Sequence, residues 1–189
     1  VQGAAGTANT LYTEPVDANL NREQYIRVAG AGSALIMTNK PTTVSFLGYG
    51  RFEVVDGARA VFSDVTLSTQ SRPLITVISN ATVEAGNFAI AAPSPSKTNL
   101  ATFVDTTVTC TGSVFFADYY GYTVATLDDT EWTLQGAVLS VGPQDGMDGT
   151  SLTIQNGSRV IGTNAELRSQ RSIPSTRILV TGTNTLLSL

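Results

Sequence analysis

Two stretches decide how this chain folds: "FEVVDGARAVF" at Phe52–Phe62 and "LTIQNGSRVIG" at Leu152–Gly162. Each alternates apolar and polar residues, reaches Asp-Gly or Asn-Gly, and continues through a small residue, an arginine and more apolar residues. Alone, either reads as a β-hairpin, because Asp-Gly and Asn-Gly suit a type I′ turn. Similar sites elsewhere argue otherwise: Asn80 in "VISNATV", Asp105 in "FVDTTV" and Asp129 in "LDDTEW". Weaker members flank them, Ala29 in "VAGAGSAL" and Thr181 in "VTGTNTLL". The seven marks at 29, 56, 80, 105, 129, 156 and 181 are separated by 27, 24, 25, 24, 27 and 25 residues. At the three central sites the next residue is Ala or Thr, and β-branched Thr resists the positive φ that both central residues of a type I′ turn require. A corner that bends the chain without reversing it needs only one residue in the left-handed region, which Asn and Asp tolerate. One corner type explains five strong sites; a hairpin explains two.

A period near 25 has a direct physical meaning. At roughly 3.3 Å per extended residue it traces about 80 Å, one coil of three short strands and three corners. Coils stacked about 4.8 Å apart bond along the axis, while side chains alternate between interior and solvent. The spacing predicts an all-β chain with a single right-handed parallel β-helix of about seven coils over residues 25–189. An N-terminal cap or arm over residues 1–24 precedes it. A β-sandwich is the alternative, since short strands with regular turns also describe that class.

Composition narrows the function classes. Hydrophobic residues make up 42% of the 189 residues, charged residues only 14%, and the net charge is -4. Lysine occurs only at Lys40 and Lys97. No basic face is expected to draw nucleic acid. Histidine is absent, which removes the commonest general base and metal ligand, and the single cysteine, Cys110, excludes an intrachain disulfide. No apolar run approaches a membrane span. No cofactor is predicted. The chain opens at Val1, as expected of a processed product or a piece of a longer polypeptide.

"YIRVAGAGSALIM" followed by "GRFEVVDGARAVF", and "TSLTIQNGSRVIG" followed by "RILVTGTNTLLSL", resemble the repeats of bacterial autotransporter passenger domains and related surface adhesins. The resemblance spans about Tyr25 to Leu189. It implies a β-helical stalk at the cell surface or outside the cell. Phage tail spikes and pectin-degrading enzymes share the architecture.

Residues that break the period are the candidate sites, because insertions in a solenoid map to loops. "FFADYYGY" brings Tyr119, Tyr120 and Tyr122 together as a surface for glycan or another subunit, with Phe115 and Phe116 assigned to the core or to stacking between coils. Arg168 and Arg171, near Arg177 and Pro174, suit a carboxylate or acidic sugar, against the plainer reading of a solvated loop paired with Glu166. Asp145 and Asp148 in "DGMDG" are weak calcium candidates, without an EF-hand or nonapeptide spacing. Asp128-Asp129 resembles the acidic pair of pectin-hydrolysing β-helices, but Asp129 falls on a corner and no histidine accompanies it. Both are read as structural. Cys110 is read as a buried small hydrophobe. Asn80-Ala81-Thr82 and Asn156-Gly157-Ser158 match the glycosylation sequon, which matters only in a secreted eukaryotic chain.

The expected function is a non-enzymatic extracellular structural or adhesive module that displays binding loops. Its expected partners are other protein subunits and surface glycans. A virion component such as a trimeric tail spike or fibre is the second reading, and a β-helical polysaccharide lyase or hydrolase the third.

Overall fold

The structure, a computed structural model, describes residues 9–13, 23–70, 72–92, 98–119, 122–136, 138–142, 150–169 and 176–189. Its regular elements are all strands. In chain order they are β1 (Asn9–Thr13), β2 (Glu23–Ala29), β3 (Ala34–Met37), β4 (Thr42–Phe46), β5 (Tyr49–Val55), β6 (Arg59–Phe62) and β7 (Val65–Thr69). Then come β8 (Leu74–Ala85), β9 (Phe88–Ala92), β10 (Thr98–Cys110), β11 (Val114–Tyr119), β12 (Tyr122–Asp128) and β13 (Glu131–Gln135). The chain closes with β14 (Val138–Val141), β15 (Ser151–Gln155), β16 (Arg159–Thr163), β17 (Glu166–Ser169), β18 (Arg177–Val180) and β19 (Leu186–Ser188).

Every pairing among the described residues is parallel, which excludes the sandwich. The strands form three faces of a β-solenoid. Face A is β1-β4-β7-β9-β11-β14-β17. Face B is β2-β5-β8-β10-β12-β15-β18, using the first halves of β8 and β10. Face C is β3-β6-β8-β10-β13-β16-β19, using their second halves. The solenoid has about six turns rather than about seven.

The corner between faces B and C is the one marked by the repeat. Asp56, Asn80, Asp105, Asp129 and Asn156 all have positive φ, between 45° and 60°. At the ends the inversion falls one residue later than Ala29 and Thr181, at Gly30 (φ 94°) and Gly182 (φ 97°). Glycine needs no side-chain tolerance there. An ordinary L-residue in this conformation costs about 1–2 kcal/mol. We therefore expect Asp105→Val to lower unfolding free energy by about that amount, and Asp105→Asn to leave it nearly unchanged. Urea midpoints decide this; equal midpoints for the two variants would contradict it.

The two opening stretches carry a second inversion, at Gly57 (φ 81°) and Gly157 (φ 85°). Ala58 N donates to Val55 O at 3.2 Å and Ser158 N to Gln155 O at 3.1 Å. This bond and the paired positive φ values are those of a hairpin turn. No hairpin forms, because β5 pairs with β2 and β8 while β6 pairs with β3 and β8.

Alternation fills the interior from all three faces. Val54, Ile78, Phe103, Leu127 and Ile154 form one inward column on face B, each at most 1% exposed. Cys110 lies in the core, as the sequence suggests, and burial pushes its thiol up to about 12, leaving it un-ionised at neutral pH. Phe116 is buried, but Phe115, next to it on the strand, alternates to the opposite side and is only half-buried, so the core assignment holds for one of the pair.

Candidate binding groove and display edge

The B–C corner row is not uniform in length. Between Val55 and Arg59 lie Asp56, Gly57 and Ala58, whereas between their partners Ser79 and Thr82 lie only Asn80 and Ala81. The same difference recurs further on: Asp129 and Thr130 oppose Asn156, Gly157 and Ser158. The three central corners are thus each one residue shorter than the glycine-bearing corners on either side. A groove of about 490 Å³ runs over them along the axis. Gly57 lines one end and Gly157 the other, with Asn80, Asp105, Asp129, Thr107, Glu131 and Arg159 between.

Beneath the groove the hydroxyls are tied down. Thr106 Oγ1 donates to Val104 O at 2.8 Å, and Ser158 Oγ donates to Gln155 O at 2.6 Å while accepting Thr130 N at 3.1 Å. Above it, Asp105, Asp129, Glu131 and Arg159 make no side-chain hydrogen bond or ion pair among the described residues. Asp128 differs. It accepts Gln155 Nε2 at 3.0 Å and Asn156 Nδ2 at 2.8 Å, a clamp between coils. Asp128 is thus a clamp between coils, and Asp129 a left-handed corner.

A second polar cluster lies on the outer side of face B near its N-terminal end. Glu53, 6% exposed, accepts Arg51 Nε at 2.6 Å and the Tyr25 hydroxyl, and Arg27 Nε lies 3.6 Å away. Arg27 also reaches Asp56 at 3.2 Å. Burial pushes the Glu53 carboxyl up, but the Tyr25 and Arg51 hydrogen bonds and the two arginine charges outweigh it and hold the group below its ordinary value. Its ionisation therefore stabilises the fold above the unfolded carboxylate pKa, and that contribution is lost as pH falls through the lowered folded value. Melting temperature should fall more steeply below about pH 4.5 in the native chain than in Glu53→Gln. Parallel pH profiles would show that the carboxylate contributes nothing.

The corner between faces C and A is a ladder that sequence reasoning missed. Asp64 Oδ1 accepts Asn87 N at 2.7 Å and Asn87 Nδ2 at 2.9 Å, and Asn87 Oδ1 accepts Ser113 N at 2.7 Å. Each side chain closes a backbone N–H of the next coil. The available signal was a polar residue just before each face-A strand, following glycine in "GN" (86–87) and "GS" (112–113).

The third corner, from face A to face B, takes the interruptions. Residues 93–97 join β9 to β10, 120–121 join β11 to β12, 143–149 lie between β14 and β15, and 170–175 between β17 and β18. All four connect a strand of face A to a strand of face B in the chain. The roots of this corner are pinned by buried polar groups: Asn99, 1% exposed, accepts Leu74 N at 3.0 Å and donates to Ala91 O at 3.2 Å. Gln24 Oε1 accepts Leu47 N at 2.7 Å and Gly48 N at 3.2 Å.

The sequence candidates fall around this corner. Tyr119 ends β11, and Tyr122 opens β12 half-buried. Arg168 is exposed on β17 and closes on Glu166 through two bonds, Nε–Oε1 at 2.8 Å and Nη2–Oε2 at 2.9 Å. Tyr120, Asp145, Asp148 and Arg171 lie outside the described residues. Among the described residues no group of three acidic or sulfur ligands could hold a metal ion, and no helix is long and apolar enough to cross a membrane.

No protein-family model, no curated protein and no solved structure matches the chain.

Proposed function

We propose that this chain is a non-enzymatic structural and adhesive module of the cell surface or extracellular space, a stiff solenoid that holds binding segments along one edge. The resemblance to autotransporter passenger and adhesin repeats belongs to this reading. The observation that carries it is the division of labour between corners. Left-handed backbone defines the B–C corners and side-chain capping the C–A corners, whereas the segments 93–97, 120–121, 143–149 and 170–175 all connect face A to face B in the chain. Adhesion needs that arrangement, because a rigid scaffold presenting several adjacent loops binds without ordering them one by one.

The test replaces each of the four segments in turn by Gly-Ser of equal length and measures attachment of the protein to immobilised cells and extracellular matrix. Loss of attachment with unchanged melting temperature is expected for at least one segment. Attachment indifferent to all four would overturn the display reading. Turnover of a polysaccharide that disappears in Asp128→Ala/Asp129→Ala would overturn the non-enzymatic one.

A further inference from the structure

The B–C groove lies on a different edge from the interrupted corner, and it has features of its own. We infer that it is a binding site for a linear, uncharged or amine-bearing saccharide lying along the solenoid axis. Four coil steps separate the Asp56-Gly57 corner from the Asn156-Gly157 corner, about 19 Å at the coil spacing. The corners repeat at about 4.8 Å, and an extended pyranose chain advances by a comparable distance per sugar, so a chain laid along the axis meets a like corner about once per sugar. The longer glycine corners line the two ends.

The lining fits a polyol better than other occupants. Asp105, Asp129 and Glu131 only accept hydrogen bonds, Arg159 only donates, and Asn80 and Thr107 do both. Sugar hydroxyls also do both, so each lining group finds a complement. A purely cationic peptide would use the acceptors and leave Arg159 opposed. Three carboxylates against one guanidinium disfavour an acidic polysaccharide. Stacking Asp105 one coil from Asp129 places like charges on neighbouring strands, an arrangement that donated hydroxyls relieve. The described residues offer no three-ligand metal site as an alternative.

The test is titration calorimetry of the whole chain with oligomers of one to eight residues. The probes are chito-oligosaccharides, their deacetylated forms, oligogalacturonates and oligolysine. Affinity for the first two should rise with length to about four sugars and then level off, as a groove four coil steps long requires. Asp105→Asn/Asp129→Asn keeps two residues that tolerate the left-handed corner. It should weaken binding about tenfold or more at unchanged melting temperature. Four results would each overturn the proposal: no saccharide binding by the native chain, tighter binding of oligogalacturonate, binding of oligolysine alone, or saccharide binding unaffected by the double substitution. Because the four edge segments are untouched, this outcome is read separately from the attachment assay.

Discussion

Trp132→Ala should lower the unfolding free energy by about 4 kcal/mol, the largest loss expected from any single core truncation here. The indole is 1% exposed and lies in an aromatic cluster built from two successive coils. Its ring centroid is 4.9 Å from that of Phe103 at an interplanar angle of 80°, 6.1 Å from Phe88 at 85° and 5.9 Å from Phe116. Edge-to-face contacts of this kind add to burial. Those neighbours arrive on β9, β10 and β11. Removing the indole therefore opens a cavity where coils are joined and loosens more than one of them. Trp132→Phe should recover more than half of the loss. Urea unfolding followed by circular dichroism measures both, and for the alanine variant the transition should also broaden, as a stack of nearest-neighbour units loses its central coupling. An unchanged midpoint would show that the cluster is dispensable.

Gly86→Ala should be nearly as damaging, at about 3 kcal/mol, for a purely steric reason. A Cβ at Gly86 would lie 2.0 Å from the Ser63 backbone oxygen and 2.4 Å from Asp64 Oδ1. Backbone cannot yield by rotating, and Asp64 is held by its bonds to Asn87. The useful control is Gly136→Ala, where a Cβ meets nothing within 4 Å but φ is 70°. That variant carries only the dihedral cost, about 1–2 kcal/mol. Equal losses at the two positions would mean that the clash is absorbed and the C–A ladder is soft.

How much of this was legible depended on which physical constraint reached the amino-acid type. The left-handed corner at Asp56, Asn80, Asp105, Asp129 and Asn156 was readable because few side chains tolerate positive φ. The residue type therefore reports the backbone. The inward columns were readable from period-two alternation. The groove was not legible as a site. Gly57 and Gly157 were visible as letters, but that they lengthen their corners relative to those between emerges only when the strands are put in register. The Asp64–Asn87–Ser113 ladder was hidden for a similar reason: its spacing follows coil lengths that vary, and any of several short polar side chains can cap a backbone N–H. Sequence attention went instead to aromatic and charged clusters. Of these Arg168 is closed on Glu166, while Asp145 and Asp148 lie outside the described residues.

The unequal corners make the groove a quantity that evolution or an engineer could adjust in whole steps. Each short-corner coil between Gly57 and Gly157 contributes one rung to its length, and the segment from Ala81 to Asp105 carries one such coil in a single run of sequence. Tandem duplication of that run would lengthen the channel by about 4.8 Å while leaving both glycine-bearing corners in place. Slippage between like repeats in the gene would therefore rescale the trough without inventing a new surface. A point substitution alters the chemistry of one rung, whereas a duplication alters how many rungs there are.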